Sequence, residues 1–230
     1  MSPFFRVLAI LLPMLWFPAT GTLAGQGQVD PAINRPFVDP DFERWVATFE
    51  HPRREVYAKR SQVLRALDLK PGMAVADIGA GTGFYTLLFA RAVAPDGTAY
   101  AVDISRGFVE NIMRRARAAG LVNVVGVVND STGIGLVPES IDLAFLCDTY
   151  HHFEQPQAML ASIRRALRPG GRLVIIDYRR EPGVSSRWIL EHVRAGREQV
   201  IGEVTRAGFE LVKELRLLKD NYFLVFRKPG

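Results

Sequence analysis

The chain has 230 residues, of which 48% are hydrophobic, and a net charge of +5. This length allows one α/β domain with a substantial core. The basic residues form no long tract and are not interleaved with aromatic residues, so we expect no nucleic-acid partner. The single cysteine, Cys147, excludes an internal disulfide framework.

The first 24 residues have the pattern of a cleaved secretory signal peptide. Arg6 supplies a positive charge, residues 7–17 are apolar, and residues 22–24 end in the small residue that a signal peptidase reads. The apolar run is too short to span a bilayer comfortably. We therefore expect an exported protein, periplasmic or secreted, whose mature chain has no stable membrane span. The alternatives are a buried N-terminal helix of a cytoplasmic enzyme and an uncleaved membrane anchor.

Residues 25–40 are rich in Gly, Pro and Asp, and this composition predicts a flexible lead-in. A domain over residues 41–230 follows, beginning with helices over 41–49 and 52–67. Two roles stay open for these helices: they cover a ligand cleft, or they pack against an edge of the sheet.

A glycine-rich loop follows the first predicted strand, Ala74–Ile78, and precedes a predicted helix over 85–93. Its spacing is G-x-G-x-G, formed by Gly79, Gly81 and Gly83, and glycine allows tight turns and close approach of a ligand. Phe84 stands where a dinucleotide fingerprint needs a small residue, and no Lys-Ser/Thr pair follows as in a P-loop. The loop therefore suits a nucleotide-binding strand–loop–helix but matches neither of these two phosphate-binding motifs.

Acidic residues end the next predicted strands. Asp103 ends a strand over 98–103 and lies about 20 residues beyond the glycines, where doubly wound folds place an acid for ribose hydroxyls. Its alternative role is to cap a helix over 108–119. Asn129 and Asp130 end a third strand over 122–130, and an Asx turn is the alternative role of Asp130.

The second half of the chain continues the alternation of strands and helices. We expect strands over 141–148, 172–178, 209–218 and 222–227, and helices over 156–167 and 196–207. The last two strands are separated by Lys219-Asp220-Asn221 and form a hairpin. A Leu-Arg-Pro-Gly-Gly-Arg-Leu turn joins the 156–167 helix to the fifth strand.

The glycine loop, the acids at the strand ends and the Pro-Gly-Gly turn occur in order between residues 69 and 178. Together they resemble the class I S-adenosylmethionine-dependent methyltransferases. The resemblance implies an α/β, doubly wound, Rossmann-like sheet of seven strands in the order 3-2-1-4-5-7-6. That sheet is mostly parallel with an antiparallel last strand, and it carries helices on both faces.

The resemblance also implies S-adenosyl-L-methionine as the cofactor and a role for each site residue. The three glycines line the loop beside the methionine and ribose parts, Asp77 supports that loop and the ammonium group, and Asp103 holds the ribose. Ile104 also belongs to the predicted cofactor site. Asp130, beside Asn129, meets the adenine. Asp148, at the end of the fourth strand, completes the predicted cofactor site.

Methyl transfer from a sulfonium is an in-line displacement, so the protein mainly supplies alignment. His151 and His152 are the candidate catalytic residues, because imidazole titrates near neutrality and either ring suits a general base. We expect at most one of them to face the methyl group, and capping of the following helix is the alternative. We expect Cys147 to be a core residue and not a nucleophile. No Cys/His set has structural zinc spacing, so we expect no metal.

We therefore predict a small-molecule methyltransferase made with a signal peptide. The first alternative is an exported, non-catalytic binding protein that keeps the cleft for adenosyl ligands. The second is a nicotinamide-dependent oxidoreductase, which Phe84 disfavours. The methyl acceptor and the oligomeric state do not follow from the sequence.

Overall fold

The computed structural model describes residues 31–230. Seven strands are present in this part of the chain: β1 (Ala74–Ile78), β2 (Thr98–Asp103), β3 (Val124–Val128), β4 (Ile141–Cys147), β5 (Leu167–Tyr178), β6 (Glu210–Glu214) and β7 (Asn221–Arg227). The α-helices are α1 (Phe42–Phe49), α2 (Glu55–Ala58), α3 (Arg60–Leu67), α4 (Phe84–Val93), α5 (Arg106–Ala118), α6 (Pro156–Ala166), α7 (Arg187–His192) and α8 (Arg197–Arg206). Two 3₁₀ helices cover Pro31–Phe37 and Tyr150–His152.

The strands form one sheet in the order β3-β2-β1-β4-β5-β7-β6. The strands β1 to β5 pair in parallel, and β7 is antiparallel to both of its neighbours. The predicted fold and strand order are confirmed. The order reverses between β1 and β4, and the carboxyl ends of these two strands flank the crevice where doubly wound sheets bind ligands.

Helices pack on both faces of the sheet and bury two apolar clusters. One cluster includes Phe89 of α4 and Ile112 of α5, and the other includes Ile163 of α6 and Val200 of α8. All five residues of β1 are buried, as is typical of a central parallel strand covered on both sides. Full burial of each large apolar side chain contributes about 1.5–3 kcal/mol, so this layered core holds the strand ends rigidly.

Some element boundaries differ from the predicted ones. The third strand spans only Val124–Val128, and the sixth ends at Glu214, after a register shift between Leu211 and Lys213. The predicted helix over 156–167 ends at Ala166, and β5 begins at once. Pro169 explains this, because a residue before proline favours extended backbone over helix.

The N-terminal part is more ordered and more divided than the sequence predicts. The described part of the expected flexible lead-in contains the 3₁₀ helix Pro31–Phe37, because the Phe37 ring packs on Trp45 and Phe108. The single helix expected over 52–67 is split at Lys59 into α2 and α3. The expected signal peptide lies outside the described residues. Among residues 31–230, no helix is long and apolar enough to cross a membrane.

Candidate active site

The glycine loop leaves β1 and enters α4 through backbone that other residues rarely adopt. Gly79, Gly81 and Gly83 all have positive φ angles, of 70°, 54° and 76°. A Cβ on Gly79 would stand 2.2 Å from the Thr149 side chain, and one on Gly83 would stand 2.6 Å from Ile112. These contacts explain the glycines that the sequence analysis singled out, and they keep the loop close to the sheet.

Asp103 links the end of β2 to the glycine loop. Its Oδ2 accepts a hydrogen bond from the Gly81 amide at 2.8 Å, and its Oδ1 accepts one from the Ser105 amide at 2.8 Å. Burial raises the pKa of Asp103 to about 6, although these two bonds act in the opposite direction. The N-cap of α5 is the Ser105 side chain, so Asp103 is not the helix cap that the sequence left as its alternative role.

Asp77 lies beneath the same loop and is almost completely buried. Its Oδ2 accepts a hydrogen bond from the Thr86 hydroxyl at 2.6 Å. Burial, and to a smaller extent the charge of Asp103, raises the pKa of Asp77 to about 7, against the opposing effect of the Thr86 bonds. The protein therefore holds two carboxyl groups that ionise near neutral pH, Asp77 and Asp103, beside the glycine loop.

The predicted adenine side is formed by the loops after β2 and β3. Ile104 lines the cavity with 45% of its surface exposed, an apolar wall suited to a flat base. The Asn129 side chain donates to the carbonyl of Gly133 at 3.0 Å. Asp130 Oδ1 accepts from the backbone amides of Thr132 and Gly133, which is the Asx turn that the sequence left open. Both Asn129 and Asp130 line the cavity, and the adenine role of Asp130 stays a prediction.

Asp148 is held by two side chains from other parts of the fold. Its Oδ2 pairs with Arg54 at 2.5 Å, and its Oδ1 accepts from Asn221 at 2.6 Å. Its own backbone has a φ of 52°. Asp148 lines the cavity, but its carboxylate fixes the segment before α2 to the sheet. Sequence reasoning missed Arg54, because no local motif marks an ion pair between residues 94 positions apart.

A cavity of about 380 Å³ connects these groups with the loop after β4, a volume in the range of small-molecule sites. It begins at the glycine loop and Asp103. It ends among a set of aromatic and histidine side chains: Phe37, His151, His152, Tyr178, Trp188 and His192. The end of the cavity beside the glycine loop and Asp103 is the expected cofactor end. We call the opposite, aromatic end the acceptor chamber.

His151 is locked in place by Asp177 at the end of β5. Its Nδ1 donates to Asp177 Oδ1 at 2.8 Å, and its backbone amide donates to Oδ2 of the same carboxylate at 3.1 Å. Burial acts to lower the pKa of His151, but the charge and hydrogen bond of Asp177 outweigh it and raise that pKa. This pairing fixes the orientation of the ring.

His152 lies beside His151, with ring centroids 4.2 Å apart, and the two rings approach His192 of α7 at 5.4 and 5.2 Å. Both neighbouring histidines line the cavity, and the expectation that at most one of them faces the methyl group stays a prediction. The 3₁₀ helix Tyr150–His152 carries both residues. Burial and the two other imidazoles lower the pKa of His152 to about 2, which makes His152 a weak base.

The two predicted roles of the N-terminal helices are divided between them: α1 covers the glycine-loop end of the cavity, whereas α3 buries Val63 and Leu67 against the sheet. Phe49 of α1 approaches the glycine loop, where a Cβ on Gly81 would stand 3.1 Å from its ring. Arg115 of α5 donates to the Glu50 carboxylate at 2.5 Å and to the carbonyl of Thr82 at 2.8 Å. This arginine ties the cover to the loop beneath it.

Two other side chains have structural roles. Burial raises the pKa of the Cys147 thiol well above its usual range, which disfavours a nucleophile, as the sequence predicted. Arg194 donates to both oxygens of Glu203 at 2.8 Å, and Tyr150 donates to the same carboxylate at 2.6 Å. The Arg194 guanidinium therefore forms part of a buried ion pair with Glu203.

The domain has a glycine loop, an acid at the end of β2, and a cavity where the strand order reverses between β1 and β4. Together these features define a Rossmann-like ligand-binding domain. A family model described as a methyltransferase domain matches residues 69–220. The chain therefore belongs to the methyltransferase domain family.

Known proteins agree with this assignment. An S-adenosylmethionine-dependent methyltransferase of Aquifex aeolicus superposes with a TM-score of 0.70 at 25% identity, covering 86% of this chain and 98% of that one. An uncharacterised 37.1 kDa transposon protein of Streptomyces fradiae is 35% identical, over 72% of this chain and 48% of its own length. A demethylmenaquinone methyltransferase of Symbiobacterium thermophilum is 32% identical, over 47% and 43%. The matches thus span less than half of these two curated relatives.

The predicted enzyme class and cofactor are confirmed at the level of this domain, which is an S-adenosylmethionine-dependent methyltransferase domain. The individual roles of the site residues stay predictions. Sequence reasoning also missed Asn34, whose Oδ1 lies 3.1 Å from His152 Nδ1, because it lies 118 positions away in the expected lead-in.

Proposed function

We propose that the enzyme transfers the methyl group of S-adenosylmethionine to a small acceptor that carries an aromatic ring. The observation behind this proposal is the acceptor chamber, which opens from the cofactor end of the same cavity. Trp188 stacks on His192 with ring centroids 4.5 Å apart, and Tyr178 meets Trp188 edge-on at 5.8 Å. Aromatic walls favour planar ligands through offset stacking and edge-to-face contacts.

The chamber is too small and too enclosed by rings to favour a macromolecule. Phe37 closes it from the N-terminal side and meets His152 edge-on at 5.3 Å. Trp188 has 55% of its surface exposed, so it stands at the mouth. A flat acceptor entering past Trp188 would reach the histidines before the cofactor end. This order supports a small molecule with its reactive atom at its inner end.

The protein's part in the reaction is alignment. Asp77, Asp103 and the glycine loop would hold the cofactor, whose sulfonium would supply an activated methyl group. His151 and His152 are the polar groups that meet the accepting oxygen, nitrogen or sulfur. The cover formed by α1 limits water, which strengthens electrostatic interactions inside the cleft.

Turnover with a matched acceptor panel tests this proposal. Purified protein is supplied with S-adenosylmethionine and with phenols, aromatic thiols and aromatic amines, each beside an aliphatic partner with the same reactive group. Formation of S-adenosylhomocysteine is measured. We expect aromatic acceptors to be preferred by tenfold or more. Equal rates for aliphatic partners would contradict the aromatic preference, and failure of every acceptor by protein that binds the cofactor would favour the non-catalytic binding protein.

We also propose that the enzyme works outside the cytoplasm. The supporting pattern is the positive, apolar and small-residue order within residues 1–24. Cell fractionation followed by mass spectrometry of the N-terminus measures this directly. We expect a periplasmic or secreted chain that begins near Gly25; a cytoplasmic chain that begins at Met1 would contradict the proposal.

A further inference from the structure

The acceptor chamber brings together three of the four histidines of the chain. One ring nitrogen from each of His151, His152 and His192 lies within 4.8 Å of the other two. Two of the rings come from the turn after β4 and the third from α7, so the cluster joins elements 40 residues apart in sequence. Three imidazoles at this spacing are a recognisable set of metal ligands.

The hydrogen bonds around His152 determine which of its nitrogens carries the proton. Asn34 Nδ2 donates to the His152 carbonyl at 3.2 Å and to Glu154 Oε1 at 2.8 Å. The amide orientation is therefore fixed, and Asn34 Oδ1 accepts from His152 Nδ1. This tautomer leaves the lone pair of neutral His152 on Nε2, where it is available to a ligand.

His151 is prepared in the same way by a carboxylate. Asp177 has a fully buried side chain and accepts from His151 Nδ1, from the His151 amide and from the Tyr178 amide at 2.7 Å. A carboxylate bonded to the outer nitrogen of a histidine is the usual partner of a metal-binding imidazole, because it fixes the ring and increases its basicity. Two of the three rings thus have an orienting partner.

We propose that His151, His152 and His192 bind a divalent transition-metal ion, of the zinc class, inside the acceptor chamber. Imidazole nitrogens suit zinc, cobalt, nickel, copper and iron, whereas magnesium and calcium prefer oxygen. Ligation by tetrahedral zinc needs nitrogens about 3.4 Å apart. Because the ring nitrogens lie within 4.8 Å of one another, the rings close by up to about 1.4 Å when the metal binds. Three protein ligands leave a fourth position open, as in catalytic zinc sites.

The open position gives the site a role that rests on the proposed function. An acceptor hydroxyl or thiol coordinates the metal and releases its proton to solvent, because the metal lowers its pKa. The resulting oxygen or sulfur anion attacks the methyl carbon as the carbon–sulfonium bond breaks. The electron pair of that bond goes to sulfur, so the products are the methylated acceptor and S-adenosylhomocysteine.

Metal titration of the purified protein, first freed of metal by chelation, tests the binding site without any acceptor. Co²⁺ is followed by its visible absorption and Zn²⁺ by calorimetry. We expect one ion per chain and an intense tetrahedral Co²⁺ spectrum. Absence of binding, or an octahedral spectrum alone, would overturn the proposal.

His192→Ala is the key variant. No residue of α7 is fully buried, so removal of the His192 ring should leave the core unchanged. We expect at least a 100-fold weaker metal affinity in His192→Ala and about a tenfold to 100-fold weaker affinity in Asn34→Ala, which removes an orienting partner. His51→Ala is the matched control, since His51 is the fourth histidine and contacts the amide of Arg53 at the surface. Equal losses in His192→Ala and His51→Ala would show surface binding and overturn the site.

Cofactor titration and turnover separate this proposal from the proposed function. We expect S-adenosylmethionine affinity to be unchanged in His192→Ala, because His192 lies at the acceptor end. Once an acceptor is known, chelation abolishes turnover and added Zn²⁺ restores it. Full turnover by the chelated protein would overturn the catalytic role of the metal and favour a histidine base, while leaving methyl transfer intact.

Discussion

Two buried carboxyl groups, Asp77 and Asp103, set the electrostatics of the cofactor end of the cleft. Burial raises their pKa values to about 7 and about 6. A cofactor with an ammonium group and ribose hydroxyls is expected to favour the ionised forms. We therefore expect cofactor binding to be coupled to proton release.

The first prediction follows from this coupling. As the pH falls below about 7, protonation of these carboxyl groups should weaken S-adenosylmethionine binding, by up to about tenfold per pH unit for each group involved. Calorimetry in buffers of different ionisation enthalpy should detect proton release on binding near pH 6. An affinity that is constant between about pH 5.5 and 8 would contradict the coupling.

Asp77→Asn should separate stability from binding. The raised pKa of Asp77 means that its stabilising contribution is present below the unfolded-state pKa and is lost as the pH rises through about 7. Removal of this group should therefore raise the melting temperature at pH 8 by a few degrees, while cofactor affinity falls about tenfold or more. Thermal melts at several pH values and calorimetry measure both effects. A lower melting temperature at pH 8 would contradict the sign.

Asp103→Ala should weaken cofactor binding by about 1–3 kcal/mol, because it removes the expected ribose partner and frees the Gly81 amide. Asp96 is an acidic residue in an exposed turn, so Asp96→Ala is the matched control and should bind the cofactor with unchanged affinity. Unchanged affinity in Asp103→Ala would refute the ribose role.

At the scale of elements, α1 and α7 cover the two ends of the cavity. Arg115 joins α5 to the cover through Glu50 and Thr82, whereas its neighbour Arg114 is exposed and contacts Asn111 within the same helix. The first helix is amphipathic but has no fully buried residue, so its docking depends on such contacts.

Arg115→Ala should loosen α1 without unfolding the domain, because the sheet and its two apolar clusters are untouched. We expect faster amide hydrogen exchange over Phe42–Phe49 and unchanged exchange in β1 and β4. Arg114→Ala serves as the control. Equal exchange over α1 in the two variants would show that other contacts hold the cover.

Trp188→Ala tests α7 as the wall of the acceptor chamber. Loss of the ring should raise the KM for an aromatic acceptor about tenfold and leave the cofactor affinity unchanged. Trp188→Phe should restore most of the loss. A change in cofactor affinity instead would place α7 at the wrong end of the cavity.

At the scale of the whole molecule, local sequence patterns predicted the elements whose causes are local. The strand order came from the family resemblance, and the glycine loop came from backbone that only glycine adopts easily. Asp103 was found because its spacing from that loop is set by one strand–helix–strand unit. Unlike the strand order, the glycine loop and Asp103 need no knowledge of distant contacts.

The long-range contacts of the site could not be predicted in the same way. Arg54 reaches Asp148 across 94 positions, and Asn34 reaches His152 across 118. His192 meets the histidine pair only because α7 folds back after β5. The expectation of no metal rested on ligand spacing along the chain, which does not detect a cluster assembled from separate elements.

Calorimetric titration of S-adenosylmethionine into the purified protein tests the central claim most directly, because every proposed role of the cleft depends on cofactor binding at the glycine loop. We predict one site per chain with an affinity in the micromolar range, about −8 kcal/mol, displaced by S-adenosylhomocysteine and weakened in Asp103→Ala. Absence of binding by well-folded protein would contradict the account.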